Sequence, residues 1–172
     1  VIENVPDISD VRILIDTLKY LGSKVTFKDE VLTIDNSNVE PKAISEEFAS
    51  KIRASYYFMG SFLSRFNTVD ISCPGGCVIG TRPIDIHLEA FSKMGVKIKE
   101  DDGHYVMNTK KLEGKNIFFN FPSVGATINV MLAAVLAKGK TKIINAATEP
   151  EITNVASFLN SMGAKVFGAG TS

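Results

Sequence analysis

Residues 84–98 read IDIHLEAFSKMGVKI, and the pattern in this stretch decides the fold. Core-facing positions recur at i, i+3, i+4, i+7 and i+10, which predicts an amphipathic helix with one buried face. Gly95 follows where a left-handed C-cap is expected, and the residues after it predict a strand. The same order of helix, glycine and strand occurs at 11–25 and at 152–166, so the chain contains three copies of one unit.

The second copy carries a loop that the other two copies lack. A strand is predicted before each helix, ending near Asn4, Ser72 and Asn145, and the connection from strand to helix is about five residues longer in the second copy. The added stretch lies within residues 74–82, PGGCVIGTR. Because function is often carried by an extra loop on a repeated scaffold, we expect the site here.

Two further helices are apolar on almost every side and are therefore predicted to be buried. The first runs roughly from Ile44 to Phe66 and the second from Ser123 to Ala137, with residues 53–55 opposite residues 125–127. Other strands are predicted around 31–34, 104–107 and 117–119, with a hairpin turn at 101–103. We therefore predict an α+β fold of repeated strand–helix units with buried helices. Residues 1–172 are expected to form a single domain that is truncated at both ends.

The overall composition narrows the class of function. The chain has 172 residues, 45% of them hydrophobic, and its 19 basic and 19 acidic residues give no net charge. No basic block is present, so a nucleic-acid partner is not expected, and no apolar run has membrane-spanning length. Two cysteines four residues apart cannot staple the fold or complete a zinc site, which favours a reducing, cytoplasmic location. No cofactor or metal is predicted.

Cys77 is the first candidate catalytic residue. It lies in the glycine-rich loop, near Arg82 and near the helix start at Pro83. Nearby positive charge lowers the pKa of a thiol, so Cys77 could act as nucleophile or proton donor, although an inert cysteine fits the local sequence about equally well. Cys73 follows a predicted strand and is interpreted as structural.

Arg53 is an unexpected cation within a buried-helix pattern and requires an anionic partner. That partner is either a ligand or a carboxylate of the chain, such as Glu46 or Glu47. Ser123 can serve as a simple N-cap, or it can open a helix whose N-terminus, beside Gly125, receives a phosphate. The repeat puts Arg53 and Gly125 at equivalent heights, and we expect them to converge with the cysteine loop.

Three further polar residues have weaker signals. His87 occupies a core position of the second helix and is interpreted as a core histidine with its hydrogen bonds satisfied rather than as a base. Asp85 lies in the first helical turn, where it stabilises the helix dipole or accepts a hydrogen bond from a substrate. His104 follows a turn and is expected to be exposed.

The loop at 74–85, PGGCVIGTRPID, resembles the active-site loop of the UDP-N-acetylglucosamine 1-carboxyvinyltransferases, a branch of the enolpyruvyl transferases. Residues 52–55 (IRAS), 121–127 (FPSVGAT) and 147–152 (ATEPEI) resemble further motifs of that family in the same order. The resemblance covers essentially the whole chain, and the cysteine-loop motif is highly specific within the superfamily.

The resemblance implies a fold and a reaction. The fold is the inside-out α/β barrel of two-domain enzymes, in which each domain has three strand–helix units packed around buried helices. The reaction transfers enolpyruvate from phosphoenolpyruvate to the 3-hydroxyl of UDP-N-acetylglucosamine and releases phosphate, as the first committed step of peptidoglycan synthesis. It thereby serves cell-wall biogenesis, cell shape and cell division.

The resemblance also implies roles for particular residues. Cys77 would be the general acid toward the methylene carbon and the residue that fosfomycin alkylates, and Arg82 would contact phosphoenolpyruvate. The UDP-sugar site would be lined by Arg53, Arg82, Pro83, Ile84, Asp85, Ile86, Ser123, Val124 and Gly125. The family's Lys-Asn pair and second domain are absent from this sequence, so the chain alone is expected to be inactive, with that second domain as its partner.

Two alternatives remain open at this point. One is a non-catalytic ligand-binding or interaction domain that reuses the repeat. The other is the relative that acts on shikimate 3-phosphate, which lacks the cysteine loop and is therefore the weaker match.

Overall fold

Helices and strands follow one another along the chain in a computed structural model that describes residues 1–75, 84–101 and 103–171. The α-helices are α1 (Ser9–Tyr20), α2 (Glu46–Ala49), α3 (Tyr57–Phe66), α4 (Asp85–Lys93), α5 (Val124–Ala134) and α6 (Pro150–Ser161), and a 3₁₀ turn spans Arg53–Tyr56. The strands are β1 (Lys24–Lys28), β2 (Val31–Asp35), β3 (Thr68–Ser72), β4 (Lys97–Asp101), β5 (His104–Asn108), β6 (Asn116–Phe118) and β7 (Lys142–Ile144). The mixture confirms the predicted α+β class.

The strands form three small sheets. β1 and β2 make an antiparallel hairpin, and β3, β5 and β4 make an antiparallel sheet with β5 in the centre. Asp101 lies opposite His104 at the predicted hairpin turn between β4 and β5. β6 and β7 pair in parallel, with Ile117 beside Ile143, and the helix between them, α5, makes the crossover that a parallel pair requires.

The glycines that end the repeated helices adopt the backbone conformation that the pattern predicts. Gly22, Gly95 and Gly163 have φ angles of +103°, +92° and +99°. A side chain is strained in this region, so glycine is the natural residue after each helix. The three-fold helix–glycine repeat is therefore confirmed.

The predicted helix from Ile44 to Phe66 is wrong as a continuous element. Ile44 instead forms a parallel β-bridge with Ile71, and the chain then makes the short α2, a break, the 3₁₀ turn and α3. At the break Ile52 is extended and buried. The hydroxyl of Ser55 donates across the break to the carbonyl of Ala49 at 2.8 Å. Burial of Ile52 and this hydrogen bond stabilise the break against the local helical preference.

The strand predicted at 164–166 is also wrong, since this described segment has irregular backbone. The side-chain amide of Asn160 binds the N–H and the carbonyl of residue 166 at 2.8 and 2.9 Å. Met162, the last core position of the third unit, is 62% exposed, whereas its equivalents Leu21 and Met94 are fully buried. A β-hairpin follows Leu21 and Met94, and the described residues after Met162 form none.

The core is centred on the two apolar helices, α3 and α5. Gly60 of α3 lies against Asn129 of α5 so closely that a Cβ at Gly60 would come 2.4 Å from the Asn129 carbonyl oxygen. The main hydrophobic cluster includes buried side chains of α3, α4, α5 and β3. A second cluster joins α5 to α6, and a third lies under α1 and the β1–β2 hairpin. This packing brings the starts of α3, α4 and α5 together.

Candidate functional site

The 3₁₀ turn presents Arg53 at the entrance to α3. Arg53 is half-buried, and its guanidinium carbon lies 5.5 Å from the centroid of the Tyr56 ring. A cation–π contact of this kind is typically worth about 0.5–1 kcal/mol at an exposed site, and it holds the guanidinium over the aromatic ring. Arg53 therefore contributes a full positive charge beside Tyr56.

The N-terminus of α5 also lies beside Tyr56. Ser123 is its N-cap, and the hydroxyl oxygen accepts a hydrogen bond from the N–H of Ala126 at 3.3 Å. A Cβ built at Gly125 would lie 2.6 Å from the Tyr56 hydroxyl oxygen and 3.3 Å from Cε1 of His87. The missing side chain lets the start of α5 approach both rings, and its first N–H groups carry partial positive charge.

The start of α4 forms the third side of the cluster. Ile84 is buried, Asp85 is exposed in the first turn, and Ile86 is partly buried. The buried ring of His87 meets the Tyr56 ring edge-on at 5.0 Å between centroids. Arg53, Gly125 and His87 therefore lie around Tyr56, whereas most of the cysteine loop falls outside the described residues.

Two titratable rings of this cluster, those of His87 and Tyr57, are neutral at neutral pH. Burial, with a smaller contribution from the Arg53 charge, lowers the pKa of His87 to about 4. Burial also raises the pKa of Tyr57, whose hydroxyl oxygen lies 3.3 Å from that of Tyr56, and the negative charge of Glu151 acts in the same direction. A guanidinium and a helix N-terminus beside neutral rings form a setting that suits an anion.

The structure brings some of the predicted site residues together and leaves others outside the described residues. Arg53 and Gly125 both lie against Tyr56, as the repeat alignment anticipates. Glu47, one of the carboxylates considered for Arg53, lies 3.7 Å from Lys51. The described members of the predicted set are Arg53, Ile84, Asp85, Ile86, Ser123, Val124 and Gly125. Cys77, Arg82 and Pro83 fall outside the described residues, and their roles stay predictions.

Sequence reasoning did not select Tyr56 or Asn129 as members of the site. Asn129 is fully buried, yet it belongs to an otherwise apolar run, and Gly60 is an equally unusual residue within α3. A polar residue and a helix-destabilising glycine in two buried helices are each costly alone, so their joint presence signals a contact. Tyr56 gave no comparable signal, because aromatic residues are common in buried helices.

Polar residues farther along β3 and β5 form a separate group. His104 is half-buried rather than exposed as expected, with Nδ1 3.2 Å from the Asp70 carboxylate and Nε2 3.2 Å from the Ser72 hydroxyl. Cys73 is exposed, and its N–H donates to the carbonyl of Gly103 at 2.9 Å. Burial raises the pKa of Tyr105, with added effects from Cys73 and nearby carboxylates.

The described part of the chain contains neither a candidate metal site nor a candidate membrane-spanning helix. No cluster of three or more His, Cys, Asp or Glu side chains has the arrangement needed to hold a metal ion. None of the helices in the described ranges combines the length and the apolar character needed to cross a lipid bilayer.

Comparison with known sequences relates the whole chain to one family. The family model described as EPSP synthase (3-phosphoshikimate 1-carboxyvinyltransferase) matches residues 1–172. UDP-N-acetylglucosamine 1-carboxyvinyltransferase 1 of Carboxydothermus hydrogenoformans is 51% identical over 171 residues, covering 99% of this chain and 40% of the relative. The enzyme of the same name from Finegoldia magna is 48% identical over 174 residues, covering 100% of this chain and 41% of the relative. The chain thus spans about two fifths of the length of these relatives.

Solved structures show the same fold. The enolpyruvyl transferase NikO from Streptomyces tendae has a TM-score of 0.83 at 21% identity, covering 98% of this chain and 40% of that one. EPSP synthase from Acinetobacter baumannii has a TM-score of 0.71 at 17% identity, covering 94% of this chain and 38% of that one. Since the family model matches from end to end and the fold is that of enolpyruvyl transferases, the chain belongs to the EPSP synthase family.

Proposed function

We propose that this chain is part of a UDP-N-acetylglucosamine 1-carboxyvinyltransferase. The observation that carries the proposal is the 46–51% identity, over nearly the whole chain, to curated relatives of that name. The convergence of Arg53 with the starts of α4 and α5 supports it, because both proposed substrates are anionic and need fixed positive charge and oriented N–H groups.

In the proposed reaction the 3-hydroxyl of UDP-N-acetylglucosamine adds to the double bond of phosphoenolpyruvate. The hydroxyl oxygen bonds to C2 and gives up its proton while another proton is delivered to the methylene carbon. The adduct then loses phosphate from C2 and a proton from the new methyl group, which restores the double bond in the enolpyruvyl ether. Cys77 is the proposed proton donor and Arg82 the proposed contact to phosphoenolpyruvate. A positioned acid of this kind contributes about 10²–10⁴-fold to a rate. The remaining predicted residues would line the UDP-sugar site.

The same proposal covers the architecture of the whole enzyme. The chain would form most of one domain of a two-domain inside-out α/β barrel protein, with the second domain as its partner. The fold similarity to two enolpyruvyl transferases supports this arrangement. A cytoplasmic location and a role in peptidoglycan synthesis, and hence in cell shape and division, belong to the same proposal.

A second candidate substrate is shikimate 3-phosphate. The matching family model bears the EPSP synthase description, and two EPSP synthase structures share the fold. The cysteine loop argues against this candidate, as it does against a non-catalytic binding domain.

Calorimetric titration of the chain with UDP-N-acetylglucosamine and with shikimate 3-phosphate separates these candidates. We expect binding of the UDP-sugar, and we expect Arg53→Ala to weaken it at least about tenfold through loss of a charged hydrogen-bond donor. Arg12→Ala is the matched control, since Arg12 is an exposed arginine that pairs with Asp7. Preferential binding of shikimate 3-phosphate, or equal effects of the two substitutions, would contradict the proposal.

Fosfomycin provides a separate test of the cysteine loop. We expect intact-mass analysis and peptide mapping to find an adduct on Cys77, with UDP-N-acetylglucosamine changing the rate of its formation. Cys73 is exposed and serves as the internal control. Labelling of Cys73 at the same rate as Cys77 would indicate that the loop confers no special reactivity.

The isolated chain should release no phosphate from phosphoenolpyruvate above background. Catalysis in this family occurs in the cleft between two domains after closure, and the chain covers about two fifths of its relatives. A colorimetric phosphate assay, with a longer relative as positive control, checks this expectation, and turnover equal to that of the control would refute it.

A further inference from the structure

The buried side-chain amide of Asn129 connects the three elements of the candidate site. Asn129 is fully buried in α5. The oxygen Oδ1 accepts from the N–H of Gly60 at 2.9 Å, and Nδ2 donates to the carbonyl of Tyr56 at 3.0 Å. Nδ2 also lies 2.9 Å from Nδ1 of His87 in α4. One amide thus joins α3, the 3₁₀ turn and α4.

The orientation of this amide follows from its two backbone partners. A backbone N–H can only donate and a backbone carbonyl can only accept, so Oδ1 must face Gly60 and Nδ2 must face Tyr56. In the opposite orientation Nδ2 would face the Gly60 N–H, donor against donor, and Oδ1 would face the Tyr56 carbonyl, acceptor against acceptor. The group that faces His87 is therefore an N–H donor, and Nδ1 of His87 must be unprotonated. The proton of the neutral ring is then on Nε2.

The same amide supports the first turn of α3. The Tyr56 carbonyl and the Gly60 N–H are the i and i+4 groups that pair in a regular α-helix. Asn129 donates to the first and accepts from the second, so it binds the helix at the point where the 3₁₀ turn becomes α3. The missing Cβ of Gly60 makes room, because that atom would lie 2.6 Å from Oδ1 of Asn129.

We propose that Asn129 is a positioning residue of this site, which holds the turn that carries Arg53 and keeps His87 neutral with its proton on Nε2. Cε1 of the His87 ring faces Gly125 at the start of α5. The tautomer and the orientation of the ring therefore decide which ring atoms lie beside that helix N-terminus. The role assigned to the site rests on the proposed function, whereas the hydrogen bonds themselves do not.

The described groups around His87 agree with a neutral ring. Arg53 of the 3₁₀ turn is the charged group that acts on it, and it opposes protonation. Tyr56 presents an uncharged ring, and Asn129 presents an N–H where a protonated Nδ1 would need an acceptor. Burial lowers the pKa of His87 in the same direction.

Nitrogen-15 spectra of the His87 ring test the assignment without any ligand. In the unsubstituted chain at neutral pH we expect Nδ1 unprotonated and Nε2 protonated. In Asn129→Asp a carboxylate replaces the donor, so the His87 pKa should rise by at least about one unit, and the amide resonances of residues 53–56 should shift. Asn129→Ser adds no charge and should loosen the same turn. It replaces Asn129→Asp as the test variant if Asn129→Asp does not fold.

Thr127→Val is the matched control on the same helix. The Thr127 hydroxyl oxygen accepts from the buried N–H of Ala147 at 3.1 Å, so its loss destabilises α5 packing without touching the cluster around Tyr56. The control should leave the His87 resonances unchanged. A proton on Nδ1 in the unsubstituted chain, or equal shifts at His87 and residues 53–56 in the Asn129 and Thr127 variants, would overturn the proposal.

Titration with UDP-N-acetylglucosamine then links the spectra to function. We expect the Asn129 variants to bind at least about tenfold more weakly and Thr127→Val to bind normally. Normal binding by Asn129 variants whose spectra have shifted would overturn the positioning role. Failure of the unsubstituted chain to bind would count against the proposed function, and the ring spectra would still decide the role of Asn129.

Discussion

Gly60 shows how one missing side chain fixes the distance between two helices. A Cβ at this position would lie 2.4 Å from a backbone oxygen of α5, which cannot move aside as a flexible side chain could. Gly60→Ala should therefore lower the free energy of unfolding by about 1–3 kcal/mol, although alanine is the better helix former. Urea denaturation followed by circular dichroism measures the change.

Ser61→Ala is the appropriate comparison for that variant. Ser61 is the next residue of α3 and is partly buried, with its hydroxyl donating to the Tyr57 carbonyl at 3.1 Å. Its removal should cost less than about 1 kcal/mol, since that carbonyl belongs to the helix ladder. Equal losses for the two variants would mean that the close approach of α3 and α5 does not limit the packing.

The buried His87 predicts a loss of stability in mild acid. Its pKa is about 4 in the folded chain and about 6.5 when the chain is unfolded, so the unfolded state binds the proton more tightly. The stabilisation is complete above about pH 6.5 and is lost as the pH falls toward 4. Between pH 7.5 and pH 5 the free energy of unfolding should fall by about 2 kcal/mol from this group.

Urea denaturation at the two pH values, with histidine variants, checks that sign. His87→Gln should remove most of the pH-dependent loss, whereas His104→Gln, at the half-buried histidine of the β3–β5 pair, should retain it. A pH-dependent loss that is as large in His87→Gln as in the unsubstituted chain would contradict the prediction.

At the scale of single elements, the N-cap of α5 shows most clearly how a local sequence signal stabilises a helix of the candidate site. The Ser123 hydroxyl satisfies the N–H of Ala126 at the start of a helix that has no acidic residue in its first turn. Ser123→Ala should cost about 1 kcal/mol, measured as a lower thermal midpoint. Ser157→Ala, at an exposed position of α6, should stay within about 0.5 kcal/mol and is the control.

Elements whose signals are local were predictable from the sequence. The helix–glycine units and the β4–β5 hairpin depend on neighbouring residues, so periodicity and turn chemistry were sufficient. The break before Arg53 depends on Ile52 being buried and on a hydrogen bond from Ser55, which are tertiary effects. The strand predicted at 164–166 failed for a related reason, because a strand requires a partner as well as a pattern.

The residues of the candidate site also divide into those with a local sequence signal and those without one. Arg53 and Ser123 stood out because each has an unusual local context, and the repeat aligned Arg53 with Gly125. The hydrogen-bonded junction at Asn129 could not be derived in the same way. It joins residues 42 to 73 positions apart, and no local pattern encodes such a contact.

The whole molecule has a well-packed centre and a weaker N-terminal unit. Buried side chains of α5 such as Ala126, Val130 and Ala133 are fully inaccessible. The cluster under α1 and the β1–β2 hairpin contains three buried residues, each 6–9% exposed, and the hairpin is a two-stranded sheet. A small apolar cluster on a two-stranded sheet gives marginal local stability. This unit should therefore open without unfolding of the centre.

Hydrogen exchange measured by mass spectrometry tests that expectation. Peptides from β1 and β2 should have protection factors at least about 100-fold lower than peptides from α5, because local opening exposes their amides at a smaller free-energy cost. The positive φ angles of Asp29 and Glu30 at the hairpin turn add backbone strain in the same unit. Peptides from β5, the central strand of its sheet, provide the comparison within strands and should exchange slowly. Equal protection of β1, β5 and α5 would mean instead that these three elements unfold as one cooperative unit.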